Sequence, residues 1–405
     1  VEFIELHNKN QLGSAHLSPW LICRLKDDCM MKNNKFTVLI PDGESNLALQ
    51  VLRCLAQVPS LRVDILSSDP LSLVRFSKYR SKYLMHKAPD DSKEKFEIIC
   101  NAIKKTNADV VLPVDVPVTR LIASYKDLLE PLAALPPIAS PEQIDIAGDK
   151  GLLAGFLLQN NIPTPDSVVY RNNEKVNWDI LKLAFPVLAK PRVARGGEGI
   201  KIFNRLSELK DYFNSECHPE NYVIQTCIDG YDIGCSVLCK NGEILAYTME
   251  KRILPPDVPF APRTGIDFFY DDQVYKIVQR LMQALNWSGV ANIDLRYDEA
   301  DGLPKVLEIN TRYWGNLIGS LISGVNFPYL SCLCGLRFDL PVSNYQLKRY
   351  VSIKAKIGLL KKRYMEKSKS IDPWLGETGI KYVLKDPFPE IYKDSVRIYK
   401  RMFDK

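Results

Sequence analysis

Histidine is scarce in this 405-residue chain, with four copies at His7, His16, His86 and His218, and none of the ten cysteines forms a CxxC pair. Zinc and iron–sulfur sites need ligands clustered at short spacing, so neither is expected. The lone CxC, Cys332 and Cys334, reads as packing rather than redox chemistry, and the thiols are expected to be reduced and mostly buried. No run approaches the roughly 18 to 20 apolar residues needed to cross a bilayer. Residues 1–30 also lack an apolar core followed by a small-residue cleavage site. The expectation is a cytoplasmic protein without a transmembrane segment. Neither GxxxxGKS/T nor a GxGxxG after the first strand occurs, which removes the P-loop and the dinucleotide fingerprint. No internal repeat is visible.

What is present is an ordinary globular composition, 46% hydrophobic and 25% charged. At about 150 residues per domain, the length predicts two to three domains. The net charge of +6 is unevenly placed: residues 346–370 hold nine Lys and Arg against one Glu, which leaves the rest of the chain slightly acidic and argues against a nucleic-acid-binding body. Val351, Ile353, Ala355 and Ile357 alternate with Tyr350, Ser352, Lys354 and Lys356, a pattern that predicts a half-exposed strand. Its charges suit either a solvated face or contact with an anionic partner or a membrane surface.

Residues 1–35 show no sustained periodicity and are treated as an N-terminal extension. From Phe36 the pattern alternates: strand 36–40, helix 46–57, strand 63–66, helix 96–105, strand 110–112. That order predicts a parallel sheet with crossover helices. A Pro-rich stretch, Pro131 to Pro141, closes this unit. An α+β region follows, with one helix over 141–160, strands at 186–190, 199–203 and 222–227, and a hairpin turning at Asn241 and Gly242. A helix is predicted over 273–285, then a hairpin of strands 290–297 and 305–309 around Asp301 and Gly302.

That last hairpin carries candidate chemistry. Alternation puts Asn292, Asp294 and Arg296 on one face of the first strand, and Glu308 and Asn310 on one face of the second. Across the pair, Asp294, Glu308 and Asn310 offer two carboxylates and an amide oxygen to one point, hard ligands suited to Mg²⁺; a solvent-facing polar hairpin would show the same alternation. Upstream, Lys190 and Pro191 precede the glycine-rich run Arg195, Gly196, Gly197, Glu198, Gly199. Such a run lets backbone amides approach phosphate oxygens, or simply forms a flexible hairpin tip. Glu250, Lys251 and Arg252, followed by Pro255, Pro256, Pro259 and Pro262, read on their own as an exposed basic turn.

Taken in order, Asp149-Lys150, FPVLAKP, RGGEGI, VIQTCIDGYD, NIDLRYD and VLEINTRYWGN resemble the ATP-grasp superfamily, most like one synthetase half of the carbamoyl phosphate synthetase large chain. The resemblance spans about residues 36–340. It implies an α/β N-terminal Rossmann-like (pre-ATP-grasp) domain over 36–140 and a two-lobed α+β ATP-grasp domain over 141–340. The small lobe is placed at about 141–226, the large lobe at about 227–340, and a basic C-terminal segment at 341–405. By the same resemblance Lys150 and Lys190 contact ATP phosphates, and Gly196, Gly197 and Gly199 belong to the loop that covers them. The backbone of Gln225, Thr226, Cys227 and Ile228 meets adenine, and Asp232 holds the ribose. Asp294, Glu308 and Asn310 bind Mg²⁺, or Mn²⁺ in its place, and Arg312 faces the γ-phosphate and a substrate carboxylate.

The activity implied is an ADP-forming ligase that activates a carboxylate as an acyl phosphate and joins it to an amine. Small-molecule carboxylate and amine substrates are expected, with no nucleic-acid partner; a homodimer is compatible with the sequence. A phosphotransferase that stops at phosphoryl transfer, and a non-catalytic nucleotide-binding scaffold, are the alternatives.

Overall fold

The computed structural model describes residues 35–170, 183–194, 196–215, 221–255, 260, 263–341, 344–366 and 376–403. The expected extension over 1–35, apart from Lys35, and Arg195, Pro256, Pro259 and Pro262 lie outside these residues.

The first sheet has the parallel order β3-β2-β1-β4, from Thr37–Ile40 (β1), Arg62–Ser67 (β2), Tyr83–Met85 (β3) and Val110–Val111 (β4). Helices Ala48–Leu55 (α1), Ser92–Thr106 (α2) and Val116–Ser124 (α3) accompany these strands. Val51, Leu52 and Leu55 of α1 are fully buried, as their spacing predicts. The edge strand β3 escaped the sequence reading because Tyr83 and Leu84 are only half buried and carry no clear alternation.

Residues 141–160 form two helices instead of the single one expected, Pro141–Gly148 (α4) and Lys150–Gln159 (α5). Asp149 is the break. Its backbone is extended (φ −101°, ψ 116°), and its carboxylate caps α5 by accepting the N–H groups of Gly151 and Leu152. A short Asp side chain competing for backbone donors is a cap signal inside a helical pattern.

Beyond α5 lie two antiparallel sheets. The smaller has the order β5-β8-β6-β7, from Ser167–Tyr170 (β5), Val187–Pro191 (β6), Lys201–Phe203 (β7) and Tyr222–Thr226 (β8). Helix Leu206–Ser215 (α6) adds Leu209 and Phe213 to its separate core. The larger has the order β13-β12-β9-β10-β11-β14, from Gly230–Lys240 (β9), Glu243–Arg252 (β10), Gly265–Phe269 (β11), Gly289–Asp298 (β12), Leu303–Asn310 (β13) and Arg349–Val351 (β14). One of its faces packs on helix Asp272–Ala284 (α7) with α4 and α5, burying Val278, Leu281, Met282 and Trp287. Its other side joins helices Leu317–Ser323 (α8) and Phe327–Gly335 (α9) and the first sheet in one continuous core.

The half-exposed strand expected over 351–357 is corrected. Strand β14 stops at Val351, opposite Gly265 at the start of β11, and helix Ile353–Glu366 (α10) follows. The Ser352 hydroxyl accepts the Ala355 N–H at 3.3 Å and opens the helix once the neighbouring strand is exhausted. A last helix, Phe388–Phe403 (α11), stacks Tyr392 on Phe76. Among the described residues no single helix is long and apolar enough to cross a membrane. Cys54, Cys235, Cys239 and Cys332 are buried, and burial pushes their thiols upward, as inert packing requires.

Candidate active site

The β12–β13 hairpin forms as its alternation predicts. Asp294 lies opposite Glu308 and Asn292 opposite Asn310, with a bulge just beyond Asp294. The Asn310 amide reaches both carboxylates, donating at 3.0 Å to Asp294 Oδ2 and lying 3.5 Å from Glu308 Oε1. Lys305 clamps the turn between Asp298 (2.6 Å) and Asp301 (2.8 Å). Burial pushes the Asp294 carboxyl up to about 6; Arg263 opposes that and Glu308 adds to it.

Two lysines arrive from separate stretches of chain. Lys190, at the end of β6, is buried and donates to Gln225 Oε1 at 2.7 Å, while Gln225 Nε2 donates to Ser167 at 2.9 Å. Burial lowers the Lys190 ammonium to about 8; nearby Glu308 resists this and Lys150 reinforces it. Lys150 opens α5. Its Nζ donates to Ala194 O at 3.0 Å and stands 3.5 Å from Glu308 Oε2. The helix break fixes its position: Asp149 binds Arg192 at 2.9 and 2.8 Å, and the Lys150 N–H donates to Arg192 O.

The glycine-rich loop joins β6 to β7. Gly196, Gly197 and Gly199 have φ of +63°, +82° and +71°, conformations that favour glycine. A Cβ at Gly197 would meet Phe260 Cβ at 2.6 Å, whereas one at Gly196 would meet nothing within 4 Å. The loop therefore rests on the segment after β10.

At the expected hinge two amides are already paired. The Thr226 N–H donates to Asp166 O and the Cys227 N–H to Pro186 O, both at 2.9 Å, so neither can donate to a base without leaving its partner. Ile228 O accepts Arg296 Nε at 2.8 Å. Both Asp232 oxygens face arginines, Arg252 Nε at 2.9 Å and Arg296 Nη1 at 2.6 Å. Ribose hydroxyls at Asp232 would share the carboxylate with them, which its four lone-pair sites allow.

Arg312 follows β13. It donates to Tyr313 O at 3.0 Å, and its Nε lies 3.7 Å from Asp115 Oδ1, at the carboxyl end of β4 in the first sheet. That edge is organised by buried Asp42, which accepts the N–H groups of Val114 (3.1 Å) and Asp115 (2.8 Å); burial pushes its carboxyl up to about 7.

Sequence reasoning missed Arg263. It bridges buried Glu250 (2.9 Å) and Asp294 (2.5 Å), in the middle of the acidic pair's surroundings. It lies just beyond a proline-rich stretch without periodicity. Only the structure shows the acid it serves: Glu250 at 1% exposure needs a cation.

The donor set fits a hard divalent ion. Asp294 and Glu308 sit side by side on one shared amide, and turning the Asn310 amide presents oxygen instead of nitrogen. The nearby Glu250 carboxylate is held by Arg263, and among the described residues no group of three or more His, Cys, Asp or Glu is gathered as a metal cluster.

Comparison with known proteins bears on this geometry. Residues 219–349 match the family model described as ATP-grasp in the biosynthetic pathway with Ter operon. Over this stretch the chain resembles ATP-grasp proteins. The chain is 27% identical over 183 residues to the carbamoyl phosphate synthase large chain of Archaeoglobus fulgidus, covering 43% of this chain and 17% of that one. It is 24% identical over 273 residues to the carbamoyl-phosphate synthase of Methanobrevibacter smithii, 63% of this chain and 71% of that protein. Its fold is similar to that of N5-carboxyaminoimidazole synthetase from Staphylococcus aureus complexed with ADP, at a TM-score of 0.61 and 16% identity over 82% of this chain and 87% of that one. The chain thus spans about one-sixth of the large chain it matches first.

Proposed function

We propose that this chain is an ADP-forming ligase that activates a carboxylate as an acyl phosphate and couples it to an amine. The observation that carries the reading is the convergence at Glu308: Lys150 stands 3.5 Å from it, Lys190 lies close enough for Glu308 to affect its charge, and Asp294 and Asn310 adjoin it. Cations for phosphate oxygens and oxygens for a hard metal ion meet around Glu308. In this reading residues 36–140 form a Rossmann-like unit, about 141–226 the small lobe and about 227–340 the large lobe of the ATP-grasp domain.

Lys150 and Lys190 bind ATP phosphates, and the glycine loop covers them and excludes water that would hydrolyse the product. Adenine lies against the carbonyl side of the Gln225–Ile228 stretch, and Asp232 holds the ribose. Asp294, Glu308 and Asn310 hold Mg²⁺ or Mn²⁺, which supplies neutralisation of phosphate charge. Arg312, and with it Arg263, faces the incoming carboxylate. A carboxylate oxygen attacks the γ-phosphorus and ADP departs with the bond's electron pair; the amine then attacks the acyl carbon, loses a proton and expels phosphate. The fixed cations offset repulsion between a carboxylate and the ATP phosphates, a stabilisation built before the reaction begins.

The test is a coupled ADP-release screen of carboxylates crossed with amines. Release that requires both classes supports the ligase. Release without a nucleophile would make the chain a phosphotransferase, and ATP binding without turnover would make it a scaffold.

A further inference from the structure

Helix α10 leaves the end of β14 and shows two faces. At 100° per residue Ile353, Ile357, Leu360 and Tyr364 fall on one stripe. Ile357, Leu360 and Tyr364 are 48%, 46% and 87% exposed. Half-buried Ala355 and Leu359 fall on nearly the opposite side, so the helix is seated by one face and presents the stripe outward. The Lys356 ammonium donates to Gly376 O at 3.0 Å and tethers it.

The flanks of the stripe are basic. Lys354 and Lys361 border one edge and Lys356 and Arg363 the other; Lys362 adds charge behind, and the helix holds no acid before its last residue, Glu366. Lys367 and Lys369 continue the charge in the sequence. Apolar side chains between two rows of long cationic ones are the pattern of a helix lying in a lipid interface, where the stems reach up to headgroups.

From this we propose that α10 docks flat on an anionic lipid surface, with Ile357, Leu360 and Tyr364 at the headgroup boundary and the lysines on lipid phosphates and carboxylates. Other occupants fit less well. A second copy would oppose like charges along both edges, and the stripe offers roughly 300–400 Å², well short of the ~800 Å² per partner of a standard interface. A nucleic acid would use the charge and leave the apolar stripe in water. The proposal does not depend on the ligase reading.

The test is co-sedimentation of the full chain with vesicles of phosphatidylcholine alone and of phosphatidylcholine with one-third phosphatidylserine, at low and high salt. Binding is expected only to the anionic vesicles, and is expected to weaken with salt. Leu360→Asp, and separately Lys361→Glu with Lys362→Glu, are each expected to weaken it roughly tenfold. Both variants should keep the parental thermal midpoint, because these side chains are exposed. Absence of binding to anionic vesicles would overturn the proposal, as would equal binding by parent and both variants. A lipid-free dimer in sedimentation velocity that Leu360→Asp dissolves would also overturn it, by assigning the stripe to a second copy.

Discussion

Burial lowers the Lys190 ammonium to about 8, so in its proposed role as a phosphate ligand the affinity is expected to depend on pH. The charged form binds phosphate, so ATP affinity is expected to hold below pH 8 and to fall as pH rises through it. The loss should approach about tenfold one unit above, where about nine-tenths of the ammonium is neutral. Lys190→Arg should flatten this profile, since guanidinium stays protonated. Equilibrium ATP binding across the range checks both; a parental profile in Lys190→Arg would remove the assignment. At this scale the sequence was informative where alternation constrained it. Asp294 sits opposite Glu308, with Asn310 on the same face, because a pleated strand has a period of two. Arg263 was invisible because its place depends on a long-range pairing with Glu250 and Asp294 that no local pattern encodes.

The break between α4 and α5 is the element on which the first lysine depends. Asp149→Ala removes two capping bonds and the partner of Arg192, so stability should fall by about 2 kcal/mol and ATP binding should weaken with it as Lys150 loses its mooring. Thermal melts beside ATP titrations separate the two effects. The glycine loop makes a sharper contrast. Gly197→Val places a Cβ where Phe260 already stands and is expected to cost turnover at least tenfold, while Gly196→Ala, with open space around it, should cost much less. Equal turnover in both would detach the loop from the site. The hairpins and the α7 helix were legible because their periodicity is local. The helix break and α10 were not: a single Asp cap interrupts one pattern, and the end of a neighbouring strand decides the other.

Across the whole molecule, the small antiparallel sheet and the large mixed-burial sheet send residues to one place, and the first parallel sheet reaches Arg312, two residues beyond Asn310. Asp115 meets Arg312 from the first, Lys190 comes from the second, and Asp294 with Glu308 from the third. The alternation of strands and helices announced the first sheet, and the ordered motifs announced the other two; how the first sheet joins the core of the third through α8 and α9 was not readable, because those contacts join residues some 270 positions apart, such as Asn326 to Cys54. The central claim is that this meeting point holds the metal ion and phosphates of an ATP-dependent reaction. Its most direct test is magnesium-dependent ADP release by the parent and by Glu308→Gln with the cognate carboxylate and amine, alongside hydroxylamine trapping of acyl phosphate. The substitution keeps size and removes one charge, so turnover should fall roughly a hundredfold or more with ATP affinity changed only slightly. Parental turnover with unchanged magnesium dependence in Glu308→Gln would contradict the account.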